Sequence, residues 1–402
     1  MLKIFELKGE IQDYKWGGTQ YISNLLGVES AGRKQAEYWL GAHQNAPSIL
    51  LSPEGERPLD TYINQNLETI LGTKIASEFG RLPFLFKVLD VHDMLSLQVH
   101  PTKSEAEKGF KLENEKGIPL TAPHRNYKDD NHKPEIMVAL SEFWLLHGFL
   151  SESKLTDILR SVPEFTNLLP VFLNGGYFEL YKKVMEQSQA ECNSMLRPLI
   201  DRILPKYRMR ELDKSSPDYW AAKAVETLMH DSNLDRGIYS IYFFNIVKAD
   251  KGDAIFQNTG CPHAYLEGQN IELMANSDNV IRGGLTQKHI DVAELLKHVV
   301  YEETVPELLR GDLQDDGMER IYHSPAPDFD LSQIKLSGMK KYQNTSNTAE
   351  ILMVIDGDVV INGGESTLSL NKGKAAFLTA ELNYNISSSS SAVIYKATAL
   401  SM

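Results

Sequence analysis

The sequence predicts a mainly β protein interrupted by a helical insertion, and three observations carry that reading. Short apolar runs separated by Pro, Gly and Asp/Asn turns fill residues 1 to about 150 and resume near Ile238. Between Ser151 and about Arg236 the apolar residues recur at three- and four-residue steps, the spacing of a helix face. From about His323 short strands and tight turns return, which suits a small sandwich or jelly roll. The expected division is a β-rich unit made of 1–150 and 237–322, a helical insertion over 151–236, and a C-terminal unit over 323–402.

Taken in order, the alternation over Leu2 to Leu7 predicts a strand, and Tyr14-Lys15-Trp16-Gly17-Gly18 an aromatic–glycine turn able to close over a site. Ser48 to Leu51 and Phe84 to Val88 read as strands, with room for a helix or two over Leu59 to Phe79. Glu37 to His43 reads as a strand in which Trp39 packs. In a strand over Leu95 to Pro101, Ser96, Gln98 and His100 share one face while Leu97 and Val99 share the other. Lys133 and Glu135 also fall on one face, ahead of the apolar Ile136 to Leu140, so they are expected to point into a cavity.

Tyr181, Val184, Ser188, Cys192, Met195, Leu199 and Ile203 draw one helical stripe, which Pro198 should kink or divide. A second helix starts near Ser216 and carries Trp220, Val225 and Leu228. The β-branched and aromatic run Ile238 to Val247 predicts a strand, followed by another over Ala254 to Gln257. His263 to Asp291 is rich in charge and glycine, with a short strand over Asn270 to Met274. It gathers His263, the carboxylates Glu267, Glu272 and Asp278, and the cations Arg282 and Lys288. Val292, Leu295, Leu296 and Val299 predict a short helix. Strands are expected over Glu350 to Ile355, Val359 to Ile361, Leu368 to Leu370, Lys374 to Leu378 and Ala392 to Ala397.

Composition narrows the function. A net charge of −13 opposes binding to nucleic acid or to anionic membranes, yet leaves room for a small anionic substrate held by a local basic cluster. No apolar run approaches the ~20 residues that span a bilayer, and the N-terminal segment lacks the apolar run of a signal peptide. Two cysteines, Cys192 and Cys261, are too few for a disulfide framework, so a cytoplasmic location is expected and both are read as structural. The association state stays open, a monomer being compatible with the sequence.

Gln98, His100, Glu135 and His263 together supply two imidazoles, a carboxylate and an amide oxygen. That set suits Zn2+ and leaves a position for water or substrate oxygens. Lys133, Asp278, Arg282 and Lys288 add acid–base groups and positive charge that would hold a phosphate. Such neighbours fit polarisation of a carbonyl or hydroxyl and movement of a proton on the adjacent carbon. There is no G-x-G-x-x-G after a strand and no P-loop. His132 is out of phase with Lys133 and Glu135 and is left outside the site. His43, His92, His124, His147, His230, His289, His298 and His323 show no comparable pairing, and beyond Ser324 there is no histidine at all.

Five stretches carry a resemblance: YKWGG from Tyr14, LPFLFKVL from Leu82, LSLQVHP from Leu95, YKDDNHKPE from Tyr127, and the segment His263 to Asp291. At these residues the chain resembles the type I phosphomannose isomerases, zinc enzymes of the cupin superfamily. The resemblance covers nearly the whole chain and implies a cupin catalytic part, a helical insertion and a C-terminal jelly roll. It assigns Gln98, His100, Glu135 and His263 as zinc ligands and Arg282 as the catalytic arginine, with Lys133 and Asp278 as further proton-transfer candidates. Trp16, Lys87 and Ser96 are implied to line the substrate pocket. The implied reaction interconverts mannose 6-phosphate and fructose 6-phosphate, with zinc on the sugar's O1 and O2 and a base carrying the proton between C1 and C2 through a cis-enediol. Which residue is that base is left open. Two other readings compete: an iron-dependent oxygenase on the same fold, and a sugar-phosphate-binding protein without catalysis, against which the intact Lys133, Asp278 and Arg282 argue.

Overall fold

The computed structural model describes residues 3–228, 232–338 and 340–400; the expectations placed on Leu2 and His230 lie outside the described residues. Period-two burial gives the central strands two different faces. On the strand Phe84–Val91, Phe86 and Val88 pack with Ile136 and Val138 of Glu135–Ala139 and with Ile271 and Leu273 of His263–Ala275. The intervening residues Lys87, Glu135 and Glu272 therefore point to the opposite face. The strand His263–Ala275 runs between the other two, so its pairing sets Lys87 against Glu272 and Glu135 against Met274. Three charged side chains are thereby gathered on one side of an 11-stranded sheet.

The apolar side of that sheet packs on a 9-stranded sheet, through a shared core that includes Leu7, Leu50, Phe86, Ile271, Ile351 and Phe377. The far side of the 9-stranded sheet meets a 4-stranded sheet across a second core of Ile4, Leu352, Val354, Ile361 and Ile386. The C-terminal part is thus a jelly-roll sandwich. Its main sheet incorporates Ile4–Lys8, which lies between Ala375–Leu378 and Ile49–Ser52. Strands not singled out in the sequence complete it, notably Asp330–Leu336, Lys341–Ser346 and Leu382–Ser387.

The helices Glu152–Ser161, Leu169–Met185, Gln189–Arg208 and Pro217–Leu228 pack through Leu155, Tyr181, Leu199 and Trp220 onto Leu97, Val99, Leu146 and Leu266. The single stripe expected from Tyr181 to Ile203 is in fact two helices. Ser188 ends the first run and caps the second in a capping box with Glu191, while Pro198 lies inside the second helix without dividing it. A cap residue at a stripe position looks like continuity when only spacing is counted. The expected strand over Ile238 to Val247 is corrected as well. Gly237–Phe243 is helical and only Phe244–Ala249 is strand. All seven residues of that helix are buried, so it has no polar face and no stripe to betray its period. Asp235 starts it, accepting from Gly237 N (2.6 Å) and tying it to Leu285 N (2.8 Å). Finally, the strand expected at Asn270 to Met274 extends back to His263.

Candidate metal centre and substrate cavity

His263 opens its long strand directly after the turn at Gly260, whose φ of 78° brings it against Val300 and the His298 carbonyl; a Cβ there would lie 2.6 Å from Val300 Cγ2. Across the pairing, His263 stands opposite Gln98, and Gln98 in turn opposite Arg282. Glu135 begins the neighbouring strand. The result is that His100, Glu135 and His263, all buried, bring one donor atom each to within 4.8 Å of one another. His263 Nε2 lies 3.3 Å from Glu135 Oε2, and His100 Nε2 lies 3.5 Å from Glu135 Oε1.

The imidazoles are oriented from behind. His100 Nδ1 donates to the Asn279 carbonyl and His263 Nδ1 to the Cys261 carbonyl, both at 2.9 Å. With the proton fixed on Nδ1, each Nε2 turns a lone pair toward Glu135. His100 Nε2 is buried and has no hydrogen-bond partner, an arrangement that costs free energy in a closed core and suits a cation. Burial pushes the His100 imidazole down to about 4, so it is neutral at pH 7 and able to ligate. Burial alone would raise Glu135, but the Lys133 ammonium at 3.2 Å and His100 hold it well below the carboxylate range. Two neutral imidazoles, an ionised carboxylate and the amide of Gln98 fit a divalent ion with nitrogen and oxygen preferences.

Beside these groups lies a narrow cavity of about 50 Å³, lined by Glu37, Lys87, Leu95, Gln98, Lys133, Glu135, His263, Tyr265 and Glu272. Lys87 sits 3.0 Å from Glu272 and 3.4 Å from Glu37. Burial opposes its charge, yet the two carboxylates raise its pKa. Glu272 is shifted upward by burial against the pull of Lys87.

Two of the motif segments are laced together. Asn279 is fully buried, accepts from Lys128 N (2.7 Å) and donates to the carbonyls of Asp129 and Asn131 (2.8 Å each). Asp129 accepts from Ser277 Oγ (2.8 Å) and from Asp278 N (2.7 Å). Lys133 and Asp278 are thus set by one hydrogen-bonded loop pair.

The structure brings together Gln98, His100, Lys133, Glu135, His263 and Lys87. Arg282 is adjacent through its pairing with Gln98 and, among the described residues, has no ion-pair partner. Trp16 packs with Leu95 against the apolar wall of the cavity, and its ring lies 5.9 Å from Tyr14. The Tyr14 hydroxyl is pushed up to about 12 by burial and by Glu37. Ser96 is half-buried just before the strand Leu97–Val99 and is not a lining residue. Glu267 is turned away to Lys214 (2.6 Å) and Lys223. His132 is spent on Asp328 at 2.8 Å.

Sequence reasoning missed three groups. His43 was read as ordinary, but its Nε2 lies 3.2 Å from both carboxylate oxygens of Asp278. Glu37 and Tyr265 were read only as parts of a strand and a loop, and both line the cavity. A signal for Glu37 was present: Lys87 and Glu272 are charges flanked on both sides by apolar residues inside strands, and a buried charge requires partners.

Comparison with known proteins agrees with this geometry. Residues 4–151 match the family pattern described as phosphomannose isomerase type I, catalytic domain, and residues 319–395 match the mannose-6-phosphate isomerase cupin domain. The chain is 35% identical to mannose-6-phosphate isomerase of Escherichia coli (strain K12), over 93% of this chain and 94% of that protein. It is 30% identical to mannose-6-phosphate isomerase 2 of Arabidopsis thaliana, over 98% and 93%. Among solved structures, a zinc-bound mannose 6-phosphate isomerase superposes with a TM-score of 0.87 at 30% identity, covering 99% of this chain and 100% of that one. The Salmonella typhimurium enzyme bound to fructose 6-phosphate and zinc gives 0.86, with the same identity and coverage.

Proposed function

We infer that this chain, which belongs to the type I phosphomannose isomerase family, is a zinc-dependent aldose–ketose isomerase that interconverts mannose 6-phosphate and fructose 6-phosphate. The observation that carries the reading is the buried His100–Glu135–His263 group with its orphaned Nε2, opening beside a cavity lined with acid–base groups. Gln98, His100, Glu135 and His263 are the proposed ligands. When bound, zinc supplies a Lewis acid for the oxygens on the two carbons that exchange oxidation level.

The chain's own residues do the rest in this proposal. The cavity admits the reacting end of an open-chain sugar. A base removes the C2 proton of the aldose, and the electron pair moves into a C1–C2 double bond as the aldehyde oxygen takes a proton. Return of a proton to C1 and loss of the one on O2 leaves the ketose, so the step needs no oxidant. Lys133 and Asp278 are the proposed proton-transfer groups, each held by fixed partners, Glu135 and His43. Burial lowers Arg282 without neutralising it, so it offers an uncommitted cation to the enediolate oxygens or the phosphate. Lys288, exposed in the loop after the strand Ile281–Gly284 and sensing Arg282, adds charge for the phosphate. Trp16 and Lys87 shape the pocket, and Ser96 acts from its rim.

The division into a catalytic unit (1–150 with 237–322), a helical insertion (151–236) and a C-terminal unit (323–402) is part of the same proposal. A cytoplasmic location and a small phosphorylated sugar as partner fit it. Among the described residues no helix is long and apolar enough to cross a membrane. The test is isomerisation of mannose 6-phosphate before and after chelation and return of zinc. Activity is expected to vanish and return. Full zinc occupancy without turnover would overturn the reading in favour of a binding protein.

A further inference from the structure

A second concavity shares no lining residue with the cavity beside the metal centre. It is an open depression of about 810 Å³ on the 4-stranded sheet of the C-terminal sandwich. Among its lining residues are Gln343, Thr345, Asn362, Asn383 and Asn385, and none of the lining residues carries a charge. The register explains the clustering. Tyr342, Ile361 and Ile386 point into the core, so Gln343, Asn362 and Asn385 point outward. Cross-strand pairing then sets Gln343 opposite Asn385, Asn385 opposite Asn362, and Asn362 opposite Thr367, a row of uncharged polar side chains across the sheet.

These amides are not idle surface groups. Thr367 Oγ1 donates to Asn362 Oδ1 (2.8 Å) and Thr345 Oγ1 to Asn383 Oδ1 (2.6 Å), which fixes both planes and leaves both NH2 groups free to donate. Asn385, in the middle of the row, makes no side-chain hydrogen bond, and its Oδ1 is buried without a partner. An unpaired amide on a sheet face costs free energy, which turning its plane outward to meet a ligand hydroxyl would recover.

We propose that this face is a second binding site, for a neutral saccharide. The free NH2 donors of Asn362 and Asn383, beside the uncommitted amide of Gln343, match a run of sugar hydroxyls, and the lack of any lining cation disfavours a phosphorylated sugar. The aromatic ring at the site, Tyr384, is buried and offers no stacking platform, so affinity is weak, on the order of millimolar.

The experiment is a titration of the 15N-labelled full chain with mannotriose, maltotriose and cellotriose, read by backbone and side-chain amide resonances. Saturable shifts are expected at Asn362, Asn383 and Asn385 for at least one trisaccharide. They should be lost in Asn385→Ala and, independently, in Asn383→Lys, an exposed position where folding is not at stake. Both variants should isomerise mannose 6-phosphate at the parent rate, and mannose 6-phosphate should leave these resonances unmoved. Absence of saturable shifts with all three sugars, or shifts that survive both substitutions, would overturn the proposal.

Discussion

Both β regions bury a charged cluster, and the two differ in how they are finished. In the C-terminal sandwich Glu319 accepts from Ser332 (2.6 Å) and Tyr342 (2.8 Å) and pairs with Lys396 at 2.7 Å, and Lys396 donates again to Tyr342. Both carboxylate oxygens of Glu319 and the Lys396 ammonium thus have partners inside the protein. At the metal centre the corresponding groups are left open: His100 Nε2 has no partner and Arg282 no counter-charge among the described residues. A closed buried network is structure, whereas one that is charged, oriented and incomplete is waiting for a ligand.

The sharpest way to break this contrast is to remove a group from the open cluster. His100→Ala should abolish stoichiometric zinc and lower kcat/KM by roughly a thousandfold or more, since the metal's contribution to the transition state amounts to several kcal/mol. Metal analysis beside the isomerase assay checks it. Next comes a matched pair. Lys87→Met strands Glu37 and Glu272, and Lys396→Met strands Glu319, so each should cost about 3–5 kcal/mol in chemical denaturation. Only Lys87→Met should also lower kcat at a temperature where both variants are folded.

A smaller effect follows from His147, which burial pushes from 6.5 down to about 4 while its Nδ1 meets Gln257 Oε1 at 2.8 Å. Between those two values the unfolded chain takes up a proton that the folded chain refuses, so stability falls as pH drops through the window and is restored above it. The loss attributable to this group approaches about 3 kcal/mol by pH 4. His147→Gln should flatten that part of the stability profile. Smallest is His43→Gln. Loss of a charge-assisted bond to Asp278 should slow turnover by about tenfold while zinc content stays whole, which distinguishes a positioning role from a ligand role.

The candidate ligands were legible in part because phase, counted two residues at a time, sets Gln98 with His100 and Lys133 with Glu135, while His263 came from a separate stretch and joined them as a ligand through the family resemblance. His43, Glu37 and Tyr265 were not, because each reaches the site through pairing between distant strands: Trp39 beside Lys87 puts Glu37 within reach, and Tyr265 arrives with the strand that pairs Phe143–Phe149. Period-based reading failed where the period has no contrast, in the wholly buried helix Gly237–Phe243, and where a cap imitated a stripe at Ser188. The strands of the C-terminal sandwich were found where Val, Ile and Leu dominate. They were missed where Asn, Thr and Ser fill the outward positions, as in Lys341–Ser346.

The pairing of Ile4 with Leu378 also sets a timetable for synthesis. Ile4–Lys8 hydrogen-bonds with Ala375–Leu378, a strand made much later, so the 9-stranded sheet cannot close until Leu378 has emerged from the ribosome. Contacts this remote in sequence slow the final step of folding. Until then Ile4–Lys8 and its neighbour Ile49–Ser52 form an unfinished edge, open to pairing with other nascent chains. The seam that joins Ile4–Lys8 to Ala375–Leu378 is therefore where crowding and chaperones would have a hold on the yield of active enzyme.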